Sequence, residues 1–436
     1  MHPFSVNYVE FSLRSRGRSG LILSLVALLA LVGSAEAIKI AAATALGKST
    51  EVSEVLKGVA LDPDNPGLHD RLSHLYDDSL ELSSLAESVR QARRATGLNP
   101  HKSDYWRNLA SACESIGDNA CADQAFQRAT GLSPMTPLVW WEAGNYYLRT
   151  NKPNAAFPSF HRLLELSPNY AEPTFDLTLR TYRNPTLILE NVLGDEKDPK
   201  LALAFADFMS ANNQFDVAHQ AWTRIVGGGT PPPFVAVRPY LDRLLSHGHY
   251  QEAQAVWVDL ERQGVIARPA DSEQGNLVFN GGFERLPLDA GFDWRSQPSP
   301  YVSVDFADAS PYEGTHCLRV DFPVSQNDEF APVYQILPVA PNQAYTLAAY
   351  VRSRDITSDS GPRLRVTDPA CPSCLNAATD TTVGSTPWHT VTLKFITGPQ
   401  TPAVLISVWR PRSRTFPMDI SGSFWLDAVS VRAERP

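Results

Sequence analysis

The sequence "CPSC" contains two cysteines, Cys371 and Cys374, at the spacing of a redox or metal-binding motif. A Cys-x-x-Cys motif can carry thiol–disulfide exchange, but a redox motif of this kind is expected to open a helix. Here the motif lies between two strand-like runs. Metal binding would need further cysteine or histidine ligands, and the neighbouring sequence has none. A disulfide that closes a loop is the favoured interpretation.

The chain contains five cysteines, an odd number. Cys113 and Cys121 lie at the end of one predicted helix and the start of the next. An antiparallel helical hairpin can bring such positions within the roughly 4.4–6.8 Å Cα separation that a disulfide needs. The same pattern fits two small buried hydrophobic residues. Cys317 is left over in a strand-like run.

No other motif points to catalysis. The sequence lacks nucleophile elbows, zinc-binding motifs and phosphate-binding loops. The glycine run that begins at Gly227 is followed by prolines and has no lysine, so it does not match a phosphate-binding loop. A glycan-processing enzyme would need two acids facing each other in one cleft, and this stays a remote alternative. We therefore expect a protein that is not an enzyme.

Length and charge limit the remaining functions. The chain has 436 residues, enough for more than one domain. Its formal net charge is -9, and it has no long run of lysine or arginine. Nucleic-acid binding needs clustered cations, so we expect no nucleic-acid partner.

The N-terminus, residues 1–37, is a targeting segment. Three arginines form its positive start: Arg14, Arg16 and Arg18. The apolar run 21–33 follows, and residues 34–37 offer a small-x-small site for a signal peptidase. The run is short for a membrane span of roughly 20 residues, although residues 38–45 can extend the same helix. The segment is either a signal peptide or a membrane anchor. Both predict an exported protein, periplasmic or anchored to the inner membrane and facing the periplasm.

A period of 34 residues runs through the helical half of the chain. It relates pairs of like residues: Trp106 and Trp140, Ala122 and Ala156, Phe126 and Phe160, Pro100 and Pro134. The small residues let two helices approach closely, and proline ends each unit. The pattern resembles the tetratricopeptide repeat. That resemblance predicts five or six helical hairpins over residues 38–265, stacked as an all-α solenoid.

The resemblance also implies a protein-binding surface, because the concave face of such solenoids usually holds a partner. It assigns residues of two neighbouring helices to this face: Arg107, Ser111 and Glu114 on one, Trp141, Asn145 and Arg149 on the other. The alternative is that Trp141 packs between repeats and the polar side chains are merely solvated.

Helical periodicity stops in a polar, turn-rich stretch, residues 266–275, which we interpret as a linker. Beyond it, apolar and polar residues alternate between turn residues. Eight strand-like segments follow: residues 301–306, 315–322, 332–339, 344–353, 362–368, 389–397, 403–409 and 423–431. The pattern predicts an all-β sandwich of two antiparallel sheets over residues 276–436.

Five motifs make the interpretation of this half more specific. In order they are "NLVFNGGFE", "YEGTHCLRVDF", "AYTLAAYVRS", "TPWHTVTLKFIT" and "FWLDAVSV". Together they resemble the galactose-binding-like jelly roll of carbohydrate-binding modules of families four and nine. The match covers residues 277–431 and makes the first motif the opening strand of the sandwich.

In such modules an acid after the first motif and an acid in the last strand share a structural calcium ion. The resemblance carries these roles to Glu284 and Asp427, with carbonyls near Asn280 and Gly314. A second acid that the family often has is replaced here by Ala428. The alternative is two exposed acids at strand ends.

Sugar binding in these modules uses aromatic faces beside polar groups. Trp409 is the best candidate to face a sugar, with Arg410 and Arg412 beside it and Tyr301 as a further aromatic residue. Two other tryptophans match positions that the family uses for packing: Trp294 and Trp388. The alternative is a sandwich with no sugar site.

The sequence thus predicts a multidomain, non-catalytic scaffold or adaptor. Its solenoid would bind a protein partner and its sandwich a glycan, in the assembly or export of cell-surface polysaccharide. That last role is an analogy with repeat proteins of similar architecture. The alternative is a structural assembly factor that binds only protein.

Overall fold

The structure is a computed structural model that describes residues 16–78, 82–194, 199–228, 231–267, 275–416 and 418–434. It confirms the predicted fold class, helical hairpins followed by two antiparallel β-sheets. The chain divides into two compact units, Met1–Tyr170 and Ala171–Pro436. The change from helix to strand falls inside the second unit. Most of the predicted linker, residues 268–274, lies outside the described residues, as does Arg14.

Eight α-helices are described in the first unit. They are α1 (Arg16–Leu46), α2 (Val52–Leu61), α3 (Pro66–Asp77), α4 (Leu82–Leu98), α5 (Ser103–Ser115), α6 (Asn119–Leu132), α7 (Pro137–Arg149) and α8 (Pro153–Leu166). The predicted repeats are the hairpins α5–α6 and α7–α8. Gly144 explains why a small residue recurs in the first helix, since a Cβ there would lie 2.6 Å from the ring of Phe160.

Helix α1 runs unbroken through the predicted cleavage site at residues 34–37. Its stretch Ser19–Leu46 is long and apolar enough to cross a membrane by length and composition, as a signal sequence near the N-terminus can also be. Its C-terminal end packs inside the first unit, where Ala43 is buried against Val55, Leu68 and Leu72. The helix therefore fits the export prediction.

The second unit begins with six further helical segments. They are α9 (Ala171–Tyr182), α10 (Pro185–Leu187, continuing as the π-turn Ile188–Val192), α11 (Pro199–Ala211), α12 (Phe215–Gly227), α13 (Phe234–Ser246) and α14 (Tyr250–Arg262). Buried aromatic side chains hold these hairpins together. Trp222 lies against Tyr240, and its indole N–H donates to Asp259 over 3.0 Å.

Ten strands are described in the sandwich of the second unit. They are β1 (Arg295–Ser296), β2 (Ser303–Asp308), β3 (Cys317–Gln326), β4 (Phe330–Pro338), β5 (Ala344–Ile356), β6 (Arg363–Thr367), β7 (Asn376–Ala378), β8 (Gly384–Ile396), β9 (Ala403–Arg410) and β10 (Ile420–Ala433). Sheet I has the order β1-β4-β9-β6-β7 and sheet II the order β2-β3-β10-β5-β8. Each of the eight predicted strands is present. Their apolar faces meet in one core, in which Trp294 is fully buried as expected for a packing residue.

The opening motif "NLVFNGGFE" was expected to be the first strand, and this prediction is wrong. The segment is irregular, because Asn280 and Phe283 both take left-handed backbone conformations that interrupt a ladder. It still joins the last strand through isolated bonds, with the Leu277 N–H donating to the Val431 carbonyl over 2.9 Å. Gly281 allows this approach, since a Cβ there would lie 2.1 Å from the Val429 carbonyl oxygen.

Four of the cysteines are paired. Disulfides join Cys113 to Cys121 across the α5–α6 turn and Cys371 to Cys374 in the loop after β6. The loop-closing interpretation of "CPSC" is thus confirmed. Cys317 is buried and unpaired, and burial raises its pKa to about 12, so its thiol is not poised for redox chemistry.

The last helical hairpin packs directly on the sandwich within the second unit. The Trp257 ring of α14 meets Phe279 edge-on, with ring centroids 5.1 Å apart. Arg295 of β1 donates to Asp242 of α13 over 2.6 Å. The hairpin and the sandwich therefore share a buried interface.

Candidate functional sites

A cavity of about 420 Å³ opens in the first unit between α3, α5 and α7. All six residues predicted for the protein-binding face line it: Arg107, Ser111, Glu114, Trp141, Asn145 and Arg149. The structure therefore brings together what the repeat register predicted. Sequence reasoning missed His74, Asn108 and Glu142, which also line the cavity.

Two ion pairs bridge α5 and α7 at this cavity. Arg107 donates to both carboxylate oxygens of Glu142 over 2.5 Å, and Arg149 donates to both oxygens of Glu114 over 2.9 and 2.8 Å. The Glu142 hydrogen bonds hold the pKa of Arg107 above its usual range, against the effect of burial. The charges of the lining are thus largely neutralised in pairs, and a ligand would meet polar rather than strongly charged walls.

Trp141 both packs within the unit and faces the cavity. Its ring lies 6.2 Å from that of Phe160 and 5.4 Å from that of Tyr170, so it packs within the unit. It is also half-exposed and lines the cavity. Asn145 donates one N–H to the Trp141 carbonyl over 2.7 Å, which leaves its side-chain oxygen available as an acceptor.

Trp409 lies on the outer face of sheet I beside a second cavity, of about 310 Å³. Its indole N–H donates to Glu329 over 2.9 Å, and the guanidinium of Arg365 lies 4.5 Å from its ring centroid. Ser407, two residues earlier on the same face, has a buried hydroxyl with no hydrogen-bond partner among the described residues. This face carries the aromatic and polar groups that a sugar site needs.

The other three residues predicted for sugar binding do not form one site with Trp409. Arg410 is fully buried, so its proposed role at the surface is corrected. Neighbouring residues of a strand point to opposite faces, and Arg410 has the parity of the core residues Ile406 and Val408. Arg412 is exposed and pairs with Asp328 over 3.1 Å. Tyr301 packs against the sandwich core. It is not among the described residues that line the Trp409 cavity.

Glu284 and Asp427 both anchor the loop before β3. Glu284 accepts hydrogen bonds from the Thr315 N–H, the Thr315 hydroxyl and the His316 N–H. Burial acts to raise the pKa of Glu284, but these hydrogen bonds lower it below its usual value. Asp427 is buried, which raises its pKa, and it accepts the amides of Tyr312 and Glu313.

A calcium ion fits this donor set only in part. The two carboxylates already hold N–H and O–H donors, and the Asn280 carbonyl accepts from Phe283 and from Trp294. No third His, Cys, Asp or Glu gathers with them among the residues the structure describes. Calcium at Glu284 and Asp427 stays a prediction.

Solved structures similar to the chain include repeat proteins and carbohydrate-binding modules. A structure titled as a functional characterization of Pseudomonas aeruginosa pilF is 15% identical, covering 53% of this chain and 92% of that chain, with a TM-score of 0.28. YrrB, described as a TPR protein with an unusual peptide-binding site, is 11% identical to the chain. The match covers 49% of this chain and 93% of YrrB, with a TM-score of 0.25. A CBM4 structure is 13% identical to the chain. The match covers 36% of this chain and 99% of that chain, with a TM-score of 0.27.

A TPR protein and a carbohydrate-binding module are thus among the solved structures similar to parts of this chain. No protein-family model matches the chain. No curated protein matches it either. The architecture therefore rests on the helices and strands described above.

Proposed function

We propose that the chain is an exported, non-catalytic scaffold whose first unit binds an extended polypeptide segment in the α5–α7 cavity. The supporting observation is the chemistry of the cavity wall. Two bidentate ion pairs and the half-exposed ring of Trp141 line it, and Asn145 and Ser111 offer hydrogen-bonding groups. A peptide backbone supplies matching N–H and C=O groups at a regular spacing.

Loss of the Asn145 side chain is the first test of this proposal. A displayed library of random twelve-residue peptides is selected on the full chain in a neutral detergent, and the affinity of one selected peptide is then measured. Asn145→Ala is expected to weaken binding about tenfold, because a buried hydrogen bond to the peptide is lost. Asn154→Ala, at an exposed position of α8, is the matched control and should bind normally. Selected peptides whose affinity is equal in both variants would place binding elsewhere and overturn the proposal.

A second candidate function is glycan binding at Trp409. It is supported by the cavity in which the indole, Glu329 and the guanidinium of Arg365 lie together. The full chain is expected to bind selected sugars on a glycan array, and Trp409→Ala should abolish that binding, because stacking on the ring supplies most of the contact area. Phe416→Ala removes an aromatic side chain that is 93% exposed in the same unit and serves as the control. A folded wild-type chain that binds no glycan on the array would refute this candidate.

These two activities support a wider proposal, that the chain links a protein partner to surface polysaccharide during assembly or export. The N-terminal helix would place it in the periplasm or hold it at the inner membrane. A chain that binds peptide but no glycan would fit the alternative, a structural assembly factor.

A further inference from the structure

The outer face of sheet II carries a row of alternating arginine and tryptophan side chains. Trp425 of β10 pairs in register with Arg319 of β3 on one side and with Arg352 of β5 on the other. The Arg352 guanidinium lies 4.2 Å from the Trp425 ring centroid and 5.2 Å from that of Trp388 on β8. Arg354 approaches the same Trp425 ring at 5.5 Å. The four strands thus build one flat, cationic and aromatic surface.

The arginines of this row differ in how their charges are used. Arg319 is paired with Asp321 over 2.9 Å and with Asp308 over 3.5 Å. Among the described residues, neither Arg352 nor Arg354 has a carboxylate within 4.0 Å. Arg352 is half-exposed and Arg354 exposed. Stacking on tryptophan holds the Arg352 guanidinium in place while its N–H edge stays available for an anion.

Further aromatic side chains extend this surface beyond the buried Trp425. Trp425 is only 4% exposed, and its indole N–H has no acceptor among the residues described. Tyr312 stacks on Tyr350, with ring centroids 3.5 Å apart, and it also contacts Trp388. Tyr350 in turn lines a cleft of about 770 Å³ on the same sheet. The row therefore adjoins this cleft at Tyr350.

We propose that this outer face of sheet II binds an acidic polysaccharide, with sugar carboxylates paired to Arg352 and Arg354. The sugar rings lie along Trp388 and the Tyr312–Tyr350 pair. Charge selects the ligand, because the chain as a whole carries a net charge of -9 and repels polyanions except where unpaired cations are gathered. Trp425 offers little apolar surface to a protein anchor, since it is 4% exposed and arginines lie over its ring. This site lies on the opposite sheet from Trp409 and does not depend on glycan binding there.

The test compares polygalacturonate with its methyl ester, which has the same sugar rings without the charge. Binding to the full chain in a neutral detergent is measured by calorimetry. The chain is expected to bind the acid and not the ester. Arg352→Met, which keeps the apolar stem, is expected to lower the affinity at least about tenfold, as for a lost charge-assisted hydrogen bond. Phe416→Ala, which removes an aromatic side chain that is 93% exposed, is expected to leave this affinity unchanged. Trp409→Ala is measured beside them.

Each result decides the proposal. Selective binding of the acid that is lost in Arg352→Met and kept in Phe416→Ala supports it. Equal binding of acid and ester, no binding of the acid, or normal binding by a folded Arg352→Met variant overturns it. Loss of binding only in Trp409→Ala would move the acidic ligand to sheet I. Peptide binding by the first unit is measured separately, so failure here leaves that result intact.

Discussion

Gly291→Ala is expected to lower the free energy of unfolding of the second unit by about 3 kcal/mol. Gly291 has a φ of +59°, a conformation that costs an L-residue about 1 kcal/mol or more. A Cβ there would also lie 2.1 Å from Cζ3 of Trp257 and 2.8 Å from a methyl group of Leu241. Both side chains are buried in the last helical hairpin, so neither can move without leaving a void.

Gly264→Ala separates the two causes of this loss. Gly264 has a φ of +71°, but a Cβ there would meet open space. Its substitution should therefore cost only the backbone strain, about 1 kcal/mol. Calorimetric unfolding of the full chain measures both variants. Equal shifts for the two would mean that Trp257 does not pack on Gly291 in solution.

The contact between the last helical hairpin and the sandwich is also the part of the fold that the sequence could not predict. Periodicity reports which face of an element is buried, but not which distant element covers it. Trp257 belongs to the last helix before the predicted linker, yet its partner Phe279 lies beyond that linker. Isolating residues 276–436 as a separate domain would expose the surface that Trp257 covers.

The first cavity was predictable because a repeat register fixes which residues share a face. Ser111 of α5 and Asn145 of α7 lie 34 residues apart in this register, and Arg107 and Arg149 were placed on the same concave face. Their acid partners were not found as pairs, because Glu142 and Glu114 lie 35 residues away in sequence and are brought close only by stacking. Trp409 was likewise named as a candidate from the sequence, whereas Arg365 was missed. Arg365 alternates with the apolar residues Leu364 and Val366 in β6, and this alternation could have placed it on the outer face of the sheet.

Arg410→Ala is expected to lower the free energy of unfolding by about 3–5 kcal/mol, the second large effect. The side chain is 0% exposed. It donates to the Asp328 carbonyl over 2.7 Å, to the Met418 carbonyl over 2.7 Å and to the Ser360 carbonyl over 3.2 Å. Burial lowers the pKa of this guanidinium, but the three carbonyls hold it as a cross-link between loops. Truncation would leave those carbonyls without donors.

Arg412→Ala is the matched control, because the sequence assigned both arginines to the same sugar site. The Arg412 side chain is 68% exposed and makes a single ion pair with Asp328, so its loss should cost less than about 1 kcal/mol. Arg410→Met retains the apolar stem and should remain clearly destabilised, which would separate the lost hydrogen bonds from the cavity. Calorimetric unfolding of the three variants gives the comparison. If Arg410→Ala is as mild as Arg412→Ala and glycan binding falls instead, Arg410 is a ligand residue after all and its buried position in this structure is wrong.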